Sequence, residues 1–379
     1  MTAGLPAYSR LSALSDRHRA LGTTFEAAWN DMPVPQNYAT DPDDEVIAVR
    51  TAAGLFDVSA LRIIDVSGRD ALAVLEELFT SDIASIAPGA ASLTGLLDDN
   101  GSIIDDVLVY CDGPNAYRVS HGSGALEDLL PAAAAGRDVT FRKDNDVHML
   151  SLQGPKALDI LAPHTGFELK TLPYFGHRRT SLFGRPVSIA RGGYSGERGY
   201  EVSCAAGDAV FLWDAILEAG RPHGAMAVSW SCLDIVRVEG GLLFYPYDMP
   251  EGDTTPWEAG LGWTVNPDKP AFRGRDAVLR RRGQQRVAQA GIEIDHHAAI
   301  EPGAKLFRDG QEVGIVNSTT YSRYLMRSLA LVHVAPHLAA CGTELEVRSG
   351  EARFPARVVK TPFYDPLRLR THPLDERTA

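Results

Sequence analysis

Apolar and polar positions along the chain follow two rhythms. Between residues 69 and 81, Ala71, Val74, Leu75, Leu78 and Phe79 recur at helical spacing, which predicts an amphipathic helix. The same spacing occurs at 10–29, at 45–53 up to Gly54, at 123–135 and at 207–219. Elsewhere the apolar runs are short. LFDVSALRIIDVSG (55–68) reads as strand, turn and strand closed by Gly68, and HMLSLQGPKALDIL (148–161) as a strand, a Gly-Pro break and a helix. Strands are also predicted at 117–120, 178–191 and 199–204. The order of elements repeats along the chain, which hints at structural duplication without a sequence repeat.

Past about residue 275 the rhythm changes. Six short runs (287–294, 305–307, 312–319, 328–334, 343–347 and 352–359) are spaced by glycine-bearing turns, the pattern of a small barrel or sandwich. The fold class is therefore α+β with a C-terminal all-β part, and a boundary is expected near 275–285. A chain of 379 residues suggests two or three domains.

Composition narrows the function classes. A formal net charge of -12 argues against a nucleic-acid surface. Arg280-Arg281-Arg282 reads as a solvated helix end before Gly283. No signal peptide opens the chain and no run is long enough to span a membrane, so a cytoplasmic protein is expected. The four cysteines lack CxxC spacing and the histidines lack HxH or HExxH pairs, so free thiols and no metal site are expected.

Three stretches carry candidate chemistry. LLDDNGSIIDDVLVY (96–110) has four aspartates. Asp98-Asp99-Asn100-Gly101 suits a type I′ hairpin turn; a calcium loop is ruled out because its first ligand position would be Leu96. In the strand that follows, Asp105 and Asp106 point to opposite, otherwise apolar faces, where a carboxylate is costly unless paired or used. RGGYSGERGYEV (191–202) is glycine-rich without being a P-loop, and re-enters a strand at Glu201. A carboxylate there suits the N–C–NH2 edge of a flat heterocycle, although an ordinary turn explains the glycines equally well. Arg237 lies inside an apolar helix and calls for either an anionic ligand or an internal partner such as Asp234 or Glu201.

Taken in order, FDVS (56–59), GSIIDDVLVY (101–110), LQGPKA (152–157), GGYSGERGYE (192–201), RVEGGL (237–242), TTPWEAGLGWTV (254–265), EVGIVNS (312–318) and VVKTPFY (358–364) resemble the motifs of the glycine-cleavage T-protein (aminomethyltransferase) family. The resemblance implies a three-domain cloverleaf around a central channel that takes tetrahydrofolate. Its expected domains are a folate-binding α+β domain (1–57 and 147–275), a second α+β domain with the Asp hairpin (58–146), and a β-barrel (280–379). Asp106 matches the family's catalytic aspartate, and Glu201 the carboxylate that holds the pterin. Tyr174, Tyr194, Arg237 and Trp263 match residues lining the folate site.

Departures cluster on the donor side. Ala60-Leu61 replace a usual His-Met, Leu93 an aromatic, His121 an asparagine, and Pro246-Tyr247 a Gly-Asn or Gly-Gln pair. The pattern implies a kept folate site and an altered donor site, as in the family's stand-alone demethylases. The expected reaction moves the methyl of a small O-, N- or S-methylated compound to N5 of tetrahydrofolate. Asp106 would orient N5, with His121 or Tyr247 as general acid for a methoxy donor, or Tyr247 or Trp230 as an aromatic wall for a cationic one. The alternatives are a T-protein acting on an aminomethyl-lipoyl carrier protein, and a folate-binding regulatory or repair protein without transfer chemistry.

Overall fold

The structure is a computed structural model that describes residues 8–373. Residues 1–7 and 374–379, the outer ends of the first and last expected domains, lie outside the described residues. The chain divides into two compact units. One gathers the residues through Ile63, Lys143–Gly193 and Glu197–Leu233; the other gathers Ile64–Arg142, Tyr194–Gly196 and the chain from Asp234 onward.

The chain begins with α1 (Ser15–Ala20), the short pair β1 (Ala27–Trp29) and β2 (Met32–Val34), then α2 (Pro42–Thr51) and β3 (Gly54–Asp57). Next come β4 (Arg62–Ser67), α3 (Ala71–Leu78), β5 (Ala91–Leu97), β6 (Ile103–Gly113), β7 (Ala116–His121), α4 (Ala125–Ala133) and β8 (Thr140–Lys143). A second round follows: β9 (Val147–Gln153), α5 (Ala157–Leu161), β10 (His177–Leu182), β11 (Arg185–Arg191), β12 (Gly199–Ala205), α6 (Ala206–Gly220) and β13 (Met226–Ala227). After α7 (Trp230–Glu239) and α8 (Arg275–Arg280) come β14 (Ala288–Ile294), β15 (Lys305–Arg308), β16 (Gln311–Ser322), β17 (Arg327–Val334), β18 (Glu344–Ser349) and β19 (Ala352–Val359).

The first unit is built on a six-stranded sheet ordered β10-β11-β12-β9-β3-β13. Alternation along these strands sends Leu55, Leu150, Leu152, Tyr200 and Val202 into one core, where α6 adds Leu212, Trp213 and Ile216. Burying each such side chain contributes about 1.5–3 kcal/mol. The opposite face carries Phe56, Ser151, Gln153 and Glu201, paired across β3, β9 and β12.

Residues 10–29 do not form the expected long helix. Only Ser15–Ala20 is helical, and Phe25 has a positive φ of 56°. Tertiary contacts override the local pattern here. His18, fully buried, binds Asp57 through Nε2 (2.9 Å) and the Tyr38 hydroxyl through Nδ1 (2.8 Å). Ser12 donates a second bond to Asp57, at 2.7 Å.

The second unit holds a five-stranded sheet ordered β5-β6-β7-β4-β8 and a closed six-stranded barrel, β14-β17-β16-β15-β18-β19. Val107, Val109 and Cys111 of β6 pack with Val74, Leu75, Leu126 and Leu130 of α3 and α4. The six predicted barrel strands all form, and the barrel closes because β14 pairs with both β17 and β19. All four cysteines are free, three of them buried. No helix of the described residues is long and apolar enough to cross a membrane.

Candidate functional site

The β5–β6 connection is a loop organised by a single side chain. The Asp98 carboxylate accepts from the backbone N–H of Asn100 (2.9 Å) and Ser102 (2.7 Å). Gly101 has φ +81°, and a Cβ there would stand 2.5 Å from the Val278 nitrogen, so glycine is required. Asn100 keeps a negative φ, so the expected type I′ turn is not formed. These side-chain bonds add to two backbone ones, from the Asp98 N–H to the Ser102 carbonyl (2.9 Å) and from the Gly101 N–H to the Asp98 carbonyl (3.1 Å).

The adjacent aspartates then separate. Asp105 is buried on the core face, where its Oδ2 accepts from the Ser123 N–H (2.9 Å) and hydroxyl (2.8 Å). This ties β6 to the segment that opens α4. Asp106 points the other way and is half-buried, with no hydrogen bond from another described residue recorded on its carboxyl. Burial, and then the negative charge of Asp105, push the Asp106 carboxyl up to about 7; Asp248 adds to the rise.

His121 falls on the wrong side for the role expected of it. It is buried on the Asp105 face, with Nδ1 3.9 Å from Asp105 and Nε2 3.7 Å from Glu127. The structure therefore does not bring it to Asp106. A period-2 reading of β6 alone could not show this, because the facing strand sets the register.

Arg237 finds its partners inside the protein. Its guanidinium donates to Asp234 (2.8 Å), Asp248 (2.7 Å) and Ser318 (2.8 Å). Of the two readings open from the sequence, the internal ion pair is the one observed, with Asp248 beside Asp234 and without Glu201. Asp248 also accepts from the Phe244 N–H (2.8 Å), so it shapes the 244–248 turn. Its second carboxylate oxygen, Oδ1, is buried without a hydrogen-bond partner. The Tyr194 hydroxyl donates to the Leu243 carbonyl. Burial raises that phenol well above its ordinary range, and the nearby Asp106 and Asp248 raise it further against the opposing pull of Arg237. Asp106, Tyr194, Arg237 and Asp248 thus form one electrostatic group. Asp248 was not singled out from the sequence; its only signal was the need of a buried guanidinium for an acid.

Two other expected residues of this unit are exposed. Tyr247, 64% exposed, stacks on Phe244 at 5.3 Å with the rings nearly parallel. Trp263 is 66% exposed.

In the other unit, Glu201 lies on β12 between Ser151 of β9 and Ala190 of β11. No hydrogen bond from the described residues is recorded on its half-buried carboxyl, and burial alone pushes that group up to about 7. The glycines nearby now have a reason. The buried Gln153 amide donates to Ser151 Oγ (2.8 Å) and the Gly192 carbonyl (3.1 Å), and a Cβ on Gly193 or Gly199 would collide with it. Beside the loop's start, Tyr174 stacks on Phe175 at 4.5 Å. The buried pair Arg50–Glu197 (3.2 Å) holds its far side. Ala60, one of the donor-side departures, is buried in a small cluster with Met32, Val34, Trp29 and Trp230.

This unit thus presents a carboxyl short of donors. It fits a planar ring edge carrying two N–H donors, because such an edge would supply the hydrogen bonds that the sheet does not. The other unit presents a carboxyl poised between protonated and ionised near neutral pH, which suits proton exchange.

Comparison with known proteins shows the family. Residues 14–269 match the GCVT N-terminal domain, and residues 288–365 the glycine cleavage T-protein C-terminal barrel domain. A heme-dependent oxidative N-demethylase gamma subunit from Ectopseudomonas mendocina is 44% identical, covering 94% of this chain and 96% of its own. An aminomethyltransferase from Shouchella clausii is 36% identical over 84% of this chain and 88% of its own. The crystal structure of glycine cleavage system aminomethyltransferase T from Bartonella henselae superposes with a TM-score of 0.85, at 26% identity over 93% of this chain and 98% of that one. The chain is an enzyme of the glycine cleavage T-protein (aminomethyltransferase) family.

Proposed function

We propose that the chain is a cytoplasmic, tetrahydrofolate-dependent one-carbon transferase that completes the demethylation of a small N-methylated compound. The three domains expected from the sequence are part of this reading. The observation that carries it is the Asp106 carboxyl, half-buried on β6 with no hydrogen bond from another described residue and pushed up to about 7 by burial, Asp105 and Asp248. When bound, tetrahydrofolate supplies the nucleophilic nitrogen that takes up the one-carbon unit.

The chain's own residues do the rest. Glu201, ionised, accepts two hydrogen bonds from the pterin's amidine edge and so fixes the ring's orientation. Tyr174 and Trp263 offer aromatic faces. Arg237 and Tyr194 act through the turn they brace, since both spend their donors on protein acceptors. Asp106 takes or returns a proton at the reacting nitrogen, and its negative charge stabilises positive charge developing there. His121 is given no proton-transfer role.

The 44% identical relative bears on the oxidation state of the carbon. Oxidative removal of an N-methyl group leaves its carbon at the level of formaldehyde rather than methyl. A chain handling that carbon would yield 5,10-methylene-tetrahydrofolate, with the oxidation done by a partner. The aminomethyltransferase relatives favour a second reading, in which the donor is an aminomethyl-lipoyl carrier protein. The donor-side changes at Ala60, Leu93 and Pro246-Tyr247 favour the first.

The test is to supply purified chain and tetrahydrofolate with formaldehyde, with N-methyl donors, or with aminomethyl-lipoyl carrier, and to identify the product. Formation of 5,10-methylene-tetrahydrofolate from formaldehyde above the uncatalysed rate supports the first reading. Product from the carrier alone supports the second, and 5-methyl-tetrahydrofolate restores methyl-level transfer.

A further inference from the structure

Residues 240–274, between α7 and α8, form neither strand nor α-helix, so no regular ladder of backbone bonds fixes their path. Part of this stretch, 248–254, nonetheless bears on the reacting carboxyl from both ends. At one end the charge of Asp248 adds to the rise of Asp106. At the other, the Thr254 carbonyl accepts from the N–H of Ile103 (2.9 Å), the first residue of the strand that carries Asp106. What holds 248–254 in place therefore also sets the surroundings of Asp106.

The main holding point is on the barrel. Val332 and Val334 of β17 lie in the barrel core, and His333 between them points outward, yet it is 0% exposed. Its Nδ1 stands 2.9 Å from both carboxylate oxygens of Glu251, and Glu251 Oε2 also accepts from the Thr254 hydroxyl (3.1 Å). A carboxylate only accepts, so Nδ1 carries the proton. Burial raises the Glu251 carboxyl, but the bond from His333 and its charge outweigh burial and hold it below the ordinary carboxylate range. The cross-strand neighbours of His333, Gln289 on β14 and Ile315 on β16, are uncharged. A second tie runs from Asn317 Nδ2 to the Asp248 carbonyl, at 3.3 Å. His333 Nε2 is buried with no hydrogen-bond partner among the described residues. An imidazole so placed is a costly way to fill space, since an apolar side chain would leave no polar group unpaired. What the imidazole adds is a directed bond from the barrel to residue 251.

We propose that His333 and Glu251 are positioning residues for the one-carbon transfer: their bond clamps residues 248–254 to the barrel and so keeps Ile103 and Asp248 where Asp106 needs them. The inference rests on the reading that Asp106 is the reacting carboxyl. Neither clamp residue reacts. Their effect passes through the backbone at Thr254 and the charge at Asp248. A loosened clamp lets β6 fray at Ile103 and draws the Asp248 charge away, so the Asp106 titration falls.

The experiment compares Glu251→Ala with Glu251→Gln, and His333→Gln with His333→Asn, in the full chain. The Glu251 side chain is 28% exposed, so truncating it leaves the fold intact. Glu251→Ala should speed hydrogen exchange at the Ile103 amide at least about tenfold and lower the Asp106 midpoint by about half a pH unit or more. It should reduce kcat about tenfold and leave tetrahydrofolate affinity within about threefold. Glu251→Gln keeps an acceptor for Nδ1–H and should restore all of these toward wild type. His333→Asn sets an amide N–H where Nδ1–H stands and should do the same, whereas His333→Gln, whose amide reaches the Nε2 position, should resemble Glu251→Ala. A lowered melting temperature in Glu251→Ala and His333→Gln, with Ile103 exchange and the Asp106 midpoint unmoved, would overturn the proposal. So would Glu251→Gln behaving as Glu251→Ala does. Exchange and titration need no substrate. If they move as expected while the wild type transfers no carbon, the clamp on Asp106 stands and the transferase reading falls.

Discussion

The six-stranded and five-stranded sheets run through one order, and they set their carboxylates in different company. In the first, β10, β11, β12 and β9 are neighbours in that sequence; in the second, β5, β6, β7 and β4 are. Each is a strand, a helix, three strands and a helix along the chain, so the duplication suggested by the alternation of elements is present in the topology. Within this shared plan β12 carries Glu201 on a face with Ser151 and Gln153, without a charged neighbour, so burial alone sets its titration. The second sheet's β6 carries a carboxylate on each face, so Asp106 feels burial and also a like charge. A lone carboxyl short of donors is an acceptor waiting for a ligand edge. A buried carboxyl with a like charge on the neighbouring residue gains or loses a proton readily near neutral pH. In the function proposed above, the difference assigns holding to one repeat and reacting to the other.

The strongest way to break this comparison is Asp106→Asn. It should lower kcat by about a hundred- to ten-thousandfold and leave tetrahydrofolate affinity within about threefold, as steady-state rates and calorimetry would report. Equal loss in both quantities would merge the two roles. Glu201→Ala should do the converse, weakening tetrahydrofolate binding by about ten- to a hundredfold, the value of about two charge-assisted hydrogen bonds in a partly solvated site. If Glu201→Ala binds folate as the wild type does, the pterin is held elsewhere.

Acidity should sharpen the contrast. Glu201 binds a donor edge in its ionised form, but in the free protein its carboxyl is pushed up to about 7. Tetrahydrofolate affinity should therefore fall as pH drops below 7, approaching tenfold per unit, with protons released on binding. Calorimetry in buffers of different ionisation enthalpy measures that release. For stability the sign is reversed. A raised carboxyl favours the folded state at acid pH, and this contribution is lost as pH climbs from the ordinary carboxylate range through about 7.

The smallest effect is expected from Asp105→Asn. It weakens the two bonds from Ser123 and should cost about 1 kcal/mol in urea unfolding, with turnover largely kept. Removing its charge should also lower the Asp106 titration and move the acid limb of the rate profile to lower pH. A catalytic loss as large as that of Asp106→Asn would show that the two faces of β6 had been misassigned.

Much of this was legible along the chain, and the exceptions share a cause. The barrel strands and β6 alternate cleanly because each has one face on a core, and alternation is a local property. The opposition of Asp105 and Asp106 follows from the same period. The motifs carrying the family resemblance lie in order on the elements that the structure forms. What could not be read depends on partners distant in sequence. Residues 10–29 bend around the bond from His18 to Asp57, 39 residues away. Arg237 is matched by Asp248 and by Ser318, which comes 81 residues later. His121 is on the Asp105 side because of how β7 and the start of α4 meet, which no single-strand pattern records. The turn at Asp98 resembled a two-residue hairpin in composition, yet Asn100 keeps a negative φ and the aspartate adds side-chain hydrogen bonds to the backbone ones.

The account turns on the state of one proton, and carboxyl 13C NMR of labelled protein can follow it directly. Asp106, assigned by its loss in Asp106→Asn, should titrate at about 7 in the wild type. It should move toward the ordinary carboxylate range in Asp105→Asn, with the pH dependence of carbon transfer tracking it in both proteins. An Asp106 signal that titrates near 4 in the wild type, or a rate profile indifferent to its titration, would contradict the assignment of the reacting role to this residue.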